Sequence, residues 1–396
     1  MKILHTADLH LREKDIEEAS QCLRFLIGKA RDENIDLAII AGDIFDSRDV
    51  KLDSKAAKLA VKTISTLANI APVAVVLGTN SHDGAAPEVL QYARGAYPVI
   101  VAATPIQIKA IKKHSCFYRI ENPSNGNPDA IISLIPQPTK QFFNVGDIQS
   151  SNEAISHGMS GLFAGVGAQA DGYSCPHLLV YHGSISGAKL SNQQVLAGMD
   201  IEVSTDQLRL SNANIIMCGH LHLPQELPGN VFYSGSIYAN NWGEDHKHGF
   251  YIHTLEGKKL VSSEFVETPC RKLVRFQHDL TDDFNGYALA DRMSLEADKA
   301  IASFVRLDLT VWQDEAAKID KETIKQIYLT FGALDVDIRI IRVPRQTVRS
   351  ESVLKVVTLR DKLIAMAALS NEEVPERILA KADELESGQI EEMRAA

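Results

Sequence analysis

The aspartate and histidine side chains best suited to binding metal ions follow short apolar runs of the sequence. They are Asp8 and His10 after residues 3–5, Asp43 after 37–41, His182 after 178–181, and His220 and His222 after 215–218. Each run is brief and rich in valine, isoleucine and leucine, which predicts a buried strand. Open α/β sheets place their sites at the carboxyl ends of their strands. The sequence therefore predicts that these side chains converge on one metal site.

The spacing of the ligand candidates indicates the kind of site. Asp8 and His10 are two residues apart, as are His220 and His222, and in an extended segment such pairs point the same way. A mixed imidazole and carboxylate shell suits Mn²⁺, Fe²⁺ or Zn²⁺ better than Mg²⁺ or Ca²⁺. Two such ions activate a water for attack on phosphorus. Asp43 lies between the two ligand groups in the sequence and is the carboxylate expected to bridge the ions.

Each candidate taken singly has a structural interpretation. A histidine after a strand is more often a core or surface residue, and an aspartate there often caps a turn. Several such motifs at strand ends, in one consistent order, favour a metal site instead. Asp46 and Asp83 are expected to orient the ligands. A structural role is expected for the other histidines, which are His5, His114, His157, His177, His246, His248, His253 and His278.

The order of the motifs resembles a known superfamily. The series is ADLH (7–10), GDIFD (42–46), HD (82–83), YHG (181–183) and GHLH (219–222), and it resembles the calcineurin-like metallophosphoesterases. The opening ILHTADLHL, and YSGSI followed by GE and HGF over residues 233–250, resemble the nuclease subunit of SbcCD-type DNA repair complexes. This resemblance covers residues 1–268, and the rest of the chain matches that family in layout.

The resemblance implies a fold, a cofactor and an activity. The fold would be a two-sheet α/β sandwich, and the cofactor two divalent ions, Mn²⁺ in this family. The activities would be exonuclease on duplex DNA and endonuclease on single strands. In the implied ligand set the first ion is held by Asp8, His10 and His222, the second by His182 and His220, and both by Asp43.

The third motif departs from the Gly-Asn-His-Asp pattern of that family. Gly78 and His82 are separated by three residues instead of one. Asn80 has the carboxamide chemistry of the expected ligand, and Ser81 has the adjacency to His82. We prefer Asn80, because an amide oxygen is a stronger neutral donor to a hard ion than a hydroxyl. His82 is the expected general acid or phosphate-binding group, and Asp83 the carboxylate that holds its ring.

The changing pattern along the 396 residues predicts three parts. Residues 1–268 would form the α/β nuclease domain and 269–348 a small α+β capping domain that contacts DNA. Residues 349–396 would form a helical tail with amphipathic helices at 351–369 and 374–394, which either pack on their own domain or dock a partner. The resemblance implies an SMC-like ATPase of the SbcC type as that partner, and a homodimer.

The bulk composition bounds these expectations. A net charge of −10, from 41 basic and 51 acidic residues, counts against a DNA substrate unless bound cations or a partner supply positive charge. Five scattered cysteines without C-x-x-C spacing argue against disulfides and predict a cytoplasmic protein. No apolar run approaches the ~20 residues that span a membrane. Two alternatives stay open: a phosphatase or nucleotide phosphodiesterase of the same superfamily, and an inactive structural subunit.

Overall fold

The computed structural model describes residues 1–111, 116–119, 127–139, 148–191, 201–281, 286–345, 356–369 and 373–395. The chain divides into two compact units. The first comprises Met1–His278, Gly286–Asp308 and Lys321–Arg339, and the second Asp279–Asn285, Leu309–Asp320 and Ile340–Ala396. The domain boundaries after residues 268 and 348 stay a prediction.

The strands, in chain order, are β1 (Lys2–Thr6), β2 (Leu37–Ala41), β3 (Val73–Val76), β4 (Val99–Ala102), β5 (Ile106–Ile111), β6 (Cys116–Arg119), β7 (Ala130–Ile135), β8 (His177–His182), β9 (Ser184–Ile185), β10 (Glu202–Val203), β11 (Ile215–Gly219), β12 (Gln225–Leu227), β13 (Val231–Tyr233), β14 (Gly249–Glu256), β15 (Lys259–Glu267), β16 (Lys272–Asp279), β17 (Ser303–Trp312) and β18 (Asp335–Val343). One sheet has the order β15-β14-β1-β2-β3-β4 and another β12-β13-β11-β8-β7-β5-β6. Two small sheets have the orders β10-β9 and β16-β17-β18.

The helices are α1 (Ile16–Asp32), α2 (Lys55–Leu67), α3 (Ile148–Ala170), α4 (Thr205–Arg209), α5 (Gly286–Ala300), α6 (Lys321–Thr330), α7 (Leu359–Leu369) and α8 (Glu376–Ala395). Short 3-10 helices occupy Glu13–Asp15, Ala86–Tyr92 and Ala316–Lys318. Within the described parts of the chain, every helix is too short or too polar to cross a membrane.

The alternation of side chains along the strands builds a layered core. On β2, Ile39 packs between the two large sheets together with Ile132 and Val180, whereas Ile40 points to the opposite face, where α1 and α2 pack. On the far side of the second sheet, Phe163 of α3 joins another buried cluster. The result is a helix–sheet–sheet–helix sandwich, which confirms the predicted α/β fold class.

The apolar runs at 3–5, 37–41, 178–181 and 215–218 form strands β1, β2, β8 and β11, as predicted. The long helix α3 contains Gly167, which permits a close approach, since a Cβ there would lie 2.6 Å from the Leu210 carbonyl oxygen. The predicted tail helix at 351–369 begins only at Leu359 in the structure, and its residues 351–355 lie outside the described residues.

Candidate metal centre

The loops that follow β1 and β2 lie side by side at the edge of the first large sheet. The Asp8 amide donates to the Gly42 carbonyl, and the His10 amide to the Asp43 carbonyl, both at 3.0 Å. This pairing places the two ligand-bearing loops in register. Gly42 has a φ of +89° and passes so close to His182 that a Cβ would lie 2.2 Å from the ring nitrogen Nδ1. Only glycine fits at this position.

The backbone at the ligand candidates is not extended, in contrast to the expectation from their spacing. Asp8, His10 and Asp43 have φ values of 51°, 40° and 50°, and His220 has 100°. Positive φ is uncommon outside glycine and is found at functional sites when the surroundings hold it. Residue pairs two apart do converge here, but through left-handed turns and not through the pleat of a strand.

Two groups of donor atoms share the Asp43 carboxylate. Asp8, His10 and Asp43 form one group, and Asp43, His182 and His220 form the other, with the donor atoms of each group within 4.8 Å of one another. The sixth candidate, His222, places Nε2 3.0 Å from His10 Nε2. The structure therefore brings together all six side chains that the strand-end motifs indicated.

Hydrogen bonds fix the direction in which the histidine rings face. The Nδ1–H of His182 donates to the Ala41 carbonyl at 2.7 Å, which leaves Nε2 facing the Asp43 carboxylate at 3.4 Å. His222 Nδ1 lies 2.7 Å from Glu244 Oε1, so its Nε2 also faces inward. Metal-binding histidines are commonly held in this way by their second nitrogen.

The charges in the cluster favour a bound cation. Burial raises the pKa of Asp8 to about 6. Burial lowers the pKa of His182, but the Asp43 and Asp8 carboxylates outweigh it and raise that pKa to about 9. His10 turns Nε2 towards the cluster, 3.0 Å from His222 Nε2 and 3.8 Å from Asp43 Oδ2. Two buried carboxylates and inward-facing imidazole nitrogens fit divalent ions of the Mn²⁺, Fe²⁺ or Zn²⁺ type.

The third motif places Thr79, not Asn80 or Ser81, at the cluster. The Thr79 hydroxyl oxygen lies 3.2 Å from Asp43 Oδ2, 3.4 Å from His182 Nε2 and 3.5 Å from His220 Nδ1. Asn80 and Ser81 are exposed, because they are the central residues of a turn closed by the His82 amide, which donates to the Thr79 carbonyl at 2.9 Å. The oxygen expected from Asn80 is thus supplied by its neighbour.

His82 lies beside the cluster, as its motif indicated. Its ring packs edge-on against His10 with the ring centroids 4.7 Å apart. Its Nδ1–H donates to the main-chain carbonyl of Asp46 at 3.0 Å, so Nε2 remains available for another proton partner. The group that orients this ring is therefore the Asp46 carbonyl and not the Asp83 carboxylate.

Asp83 has a different task from the one its position next to His82 suggested. Its buried carboxylate accepts from the amides of Ile44 at 2.8 Å, Phe45 at 3.1 Å and Gly78 at 2.7 Å. These amides belong to the loops that carry Asp43 and Thr79. Asp83 thereby fixes the two loops to each other. Burial, reinforced by the nearby Asp43 charge, raises the pKa of Asp83 to about 7.

Several supporting residues were not identified from the sequence. Glu244, which is 1% exposed, bonds His222, and the Tyr238 hydroxyl donates to the His10 carbonyl at 2.7 Å. Arg12 contacts Asp46 at 3.1 Å and the Asn240 carbonyl at 3.0 Å. Glu244 belongs to the GE segment and Tyr238 directly follows YSGSI, so both lie in or next to motifs noted in the sequence. Their partners are distant in sequence, and these contacts are visible only in the fold.

Comparison with known proteins shows which family the chain resembles and over which residues. The sequence profile of the calcineurin-like phosphoesterases matches residues 1–224. Among solved structures, a chain of GAP50, the anchor in the inner membrane complex of Plasmodium, is 11% identical with a TM-score of 0.39, covering 69% of this chain and 90% of its own. A dimetal phosphatase from Danio rerio is 10% identical with a TM-score of 0.35, covering 68% of this chain and 99% of its own.

Proposed function

The chain belongs to the calcineurin-like phosphoesterase family, and we propose that it is a two-metal phosphodiesterase that cleaves DNA. Asp43 carries the two-metal part of this proposal, because its carboxylate is common to both groups of donor atoms. A carboxylate in that position can bridge two ions and balance their charge.

We assign the ligands from the two groups. The first ion would be held by Asp8, His10 and His222, the second by Thr79, His182 and His220, and both by Asp43. The Glu244 carboxylate would keep His222 in the tautomer whose Nε2 carries no proton, and the Ala41 carbonyl would do the same for His182. Mn²⁺ is the proposed metal.

The chemistry divides between the cofactor and the chain. When bound, two divalent ions lower the pKa of a water and offset charge on the phosphoryl oxygens. The residues of the chain would position that site, and His82 lies beside it, with its ring centroid 4.7 Å from that of His10. With Nδ1–H held by the Asp46 carbonyl, His82 Nε2 can donate a proton to the departing sugar oxygen. A diester with an alkoxide leaving group needs such a donor.

A groove with a volume of about 620 Å³ lies next to the centre. Its charged lining is balanced, with the basic side chains Arg12, Lys51, Lys55 and Lys58 and the acidic side chains Glu13, Asp46, Asp49 and Asp53. Lysines can contact backbone phosphates without reading sequence. The net charge of −10 would therefore be offset by the bound cations and not by the groove. By the motif resemblance, the activities are exonuclease on duplex DNA and endonuclease on single strands.

The partners are proposed from the same resemblance. Helices α7 and α8 lie in the second unit and expose Leu359, Ile364, Met366, Ile378 and Leu385. We propose that this tail docks an SMC-like ATPase of the SbcC type and that the chain forms a homodimer. A chain ending near residue 349 should keep hydrolysis of a small diester and lose the ATPase. Co-purification of the shortened chain with the ATPase would contradict the docking role.

The substrate is tested with DNA and with a small diester. End-labelled duplex DNA, end-labelled single-stranded DNA and bis(p-nitrophenyl) phosphate are each incubated with the full chain and Mn²⁺, with and without chelator. Chelator-sensitive release of nucleotides from DNA supports the nuclease. Hydrolysis of the small diester without cleavage of either duplex or single-stranded DNA would identify a nucleotide phosphodiesterase instead. Failure on both substrates, with metals bound, would indicate an inactive structural subunit.

A further inference from the structure

A tight turn at residues 240–244 supports the metal ligand His222. Its last residue, Glu244, accepts two hydrogen bonds from within the turn. The Asn240 main-chain amide donates to Oε2 at 2.9 Å, and the Asn241 side-chain amide donates to Oε1 at 2.7 Å. The same Oε1 lies 2.7 Å from His222 Nδ1. The position of this buried carboxylate therefore depends on the shape of the turn.

Trp242 is at the apex of the turn, and its ring contacts Arg306, a residue that does not belong to the turn. The guanidinium of Arg306, on β17 in the same unit, lies over the Trp242 ring with its central carbon 4.6 Å from the ring centroid. Two nitrogens of the same guanidinium bond Asp337 Oδ2 at 2.9 and 2.6 Å. A guanidinium fixed by a carboxylate and stacked on an indole face makes a defined cation–π contact.

We propose that Trp242 and Arg306 are positioning residues for the metal ligand His222, acting through the Glu244 carboxylate. The stacked pair fixes the apex of the turn, the turn fixes Glu244, and Glu244 fixes the ring of His222. This inference rests on the proposed role of His222 at the metal centre, and it does not depend on DNA being the substrate.

The test measures metal binding by the full, metal-free chain. In calorimetric titrations with Mn²⁺, Glu244→Gln should raise the Kd of one of the two sites by about 10- to 100-fold, the usual effect of removing a partner of a ligand histidine. Trp242→Ala should raise the same Kd by roughly 3- to 10-fold, a smaller effect because Trp242 acts on His222 only through Glu244. Trp242→Phe, which keeps an aromatic face, should be milder. In the Glu244→Gln background, Trp242→Ala should add nothing further.

The matched control is Trp312→Ala. Trp312 belongs to the second unit and also stacks with an arginine held by carboxylates, since the Arg345 guanidinium lies 5.4 Å from its ring and contacts Asp314 and Glu315. Trp312→Ala should leave both Mn²⁺ affinities unchanged even if it lowers the melting temperature. A second readout, long-range ¹H–¹⁵N spectra of metal-free protein with labelled histidines, should show the Nδ1–H tautomer of His222 depleted by Trp242→Ala and retained in Trp312→Ala.

The possible failures are distinguishable. Unchanged Mn²⁺ affinity and an unchanged His222 spectrum in Trp242→Ala would overturn the positioning role, whatever happens to stability. A full additional loss in the Glu244→Gln background would show that Trp242 acts independently of Glu244, and would overturn it as well. If Glu244→Gln leaves both affinities unchanged, the positioning role fails at Glu244, whereas unchanged affinities in His222→Ala would overturn the assignment of His222 to the metal centre.

Discussion

Two buried histidine clusters lie close together in the first unit, and they differ in chemistry. In one, His5 Nδ1 lies 3.3 Å from His253 Nε2, while His5 Nε2 lies 3.1 Å from the Cys218 carbonyl oxygen and His253 Nδ1 lies 2.8 Å from Ser263 Oγ. In the other, centred on His10 and His182, the neighbours are carboxylates: His182 Nε2 lies 3.4 Å and His10 Nε2 3.8 Å from Asp43 Oδ2.

Burial acts on both clusters, but with opposite results. It lowers the pKa of His5 to about 3, since no carboxylate compensates. It also opposes the charge on His182, yet Asp43 and Asp8 raise that pKa to about 9. A buried histidine whose nitrogens are all bonded is part of the core, whereas one facing a carboxylate is prepared for a cation.

Removing the shared carboxylate should have the largest effect on this contrast. We expect Asp43→Asn to abolish hydrolysis of every substrate, because the negative charge and one of the two carboxylate oxygens that would bridge the ions are lost together. Calorimetry with Mn²⁺ and hydrolysis of bis(p-nitrophenyl) phosphate measure the two losses. His253→Phe is the control from the other cluster and should keep both. Full activity of wild-type protein with one ion per chain would contradict the two-metal assignment.

The second effect separates ligand histidines from His82. His82→Ala should bind two Mn²⁺ ions and DNA, and should lose about 10²- to 10⁴-fold in DNA cleavage, because the sugar oxygen departs poorly without a proton. A nitrophenolate leaves without that help, so activity on the nitrophenyl diester should fall much less. The surface histidine variant His157→Ala serves as control. Equal losses on both substrates would instead place His82 at the phosphoryl group.

A smaller effect is expected at the third motif. Thr79→Ala should weaken one Mn²⁺ site by roughly tenfold, the lower end of the range seen when a group supporting a metal site is removed. Thr79→Ser should preserve it. Asn80→Ala and Ser81→Ala should leave both sites intact, because their side chains are exposed. A loss of metal in Asn80→Ala with none in Thr79→Ala would return the ligand role to Asn80.

The smallest effect concerns stability in acid. The pKa of His5 falls from 6.5 in the unfolded chain to about 3 in the folded one, so below pH 6.5 only the unfolded chain takes up this proton. The stabilisation is complete above pH 6.5 and is lost as the pH falls towards 3, at ~1.4 kcal/mol per pH unit for one such histidine. Burial lowers the pKa of His253 in the same direction.

His253→Phe tests this pH dependence. Urea unfolding in chelator at pH 7 and pH 5 should show a smaller loss of unfolding free energy for the variant than for the wild type. The new ring would take a place already bordered by Phe232 and Tyr251. The same slope with pH in both proteins would show that His253 is readily protonated in the fold.

The sequence predicts the parts of the site that depend on strand ends and misses those that depend on turns. Asp8, Asp43 and His182 were identified because apolar runs of strand length precede them. Thr79 was passed over because a two-residue turn, rather than the type of side chain, decides which oxygen faces the cluster. Glu244 was missed because its partner His222 is on a different loop, and no local pattern records that contact.

The Asp83 carboxylate, which bonds backbone amides of two loops, has a consequence for loop length. The segment between Thr79 and His82 is closed at its base by the amide of His82 and anchored by Asp83 to Gly78. The turn in this segment holds two residues, and its length therefore sets the positions of Thr79 and His82 at the same time. A residue inserted at the junction of Asn80 and Ser81 should displace one of these two side chains from the cluster, even though the tip of the turn is exposed.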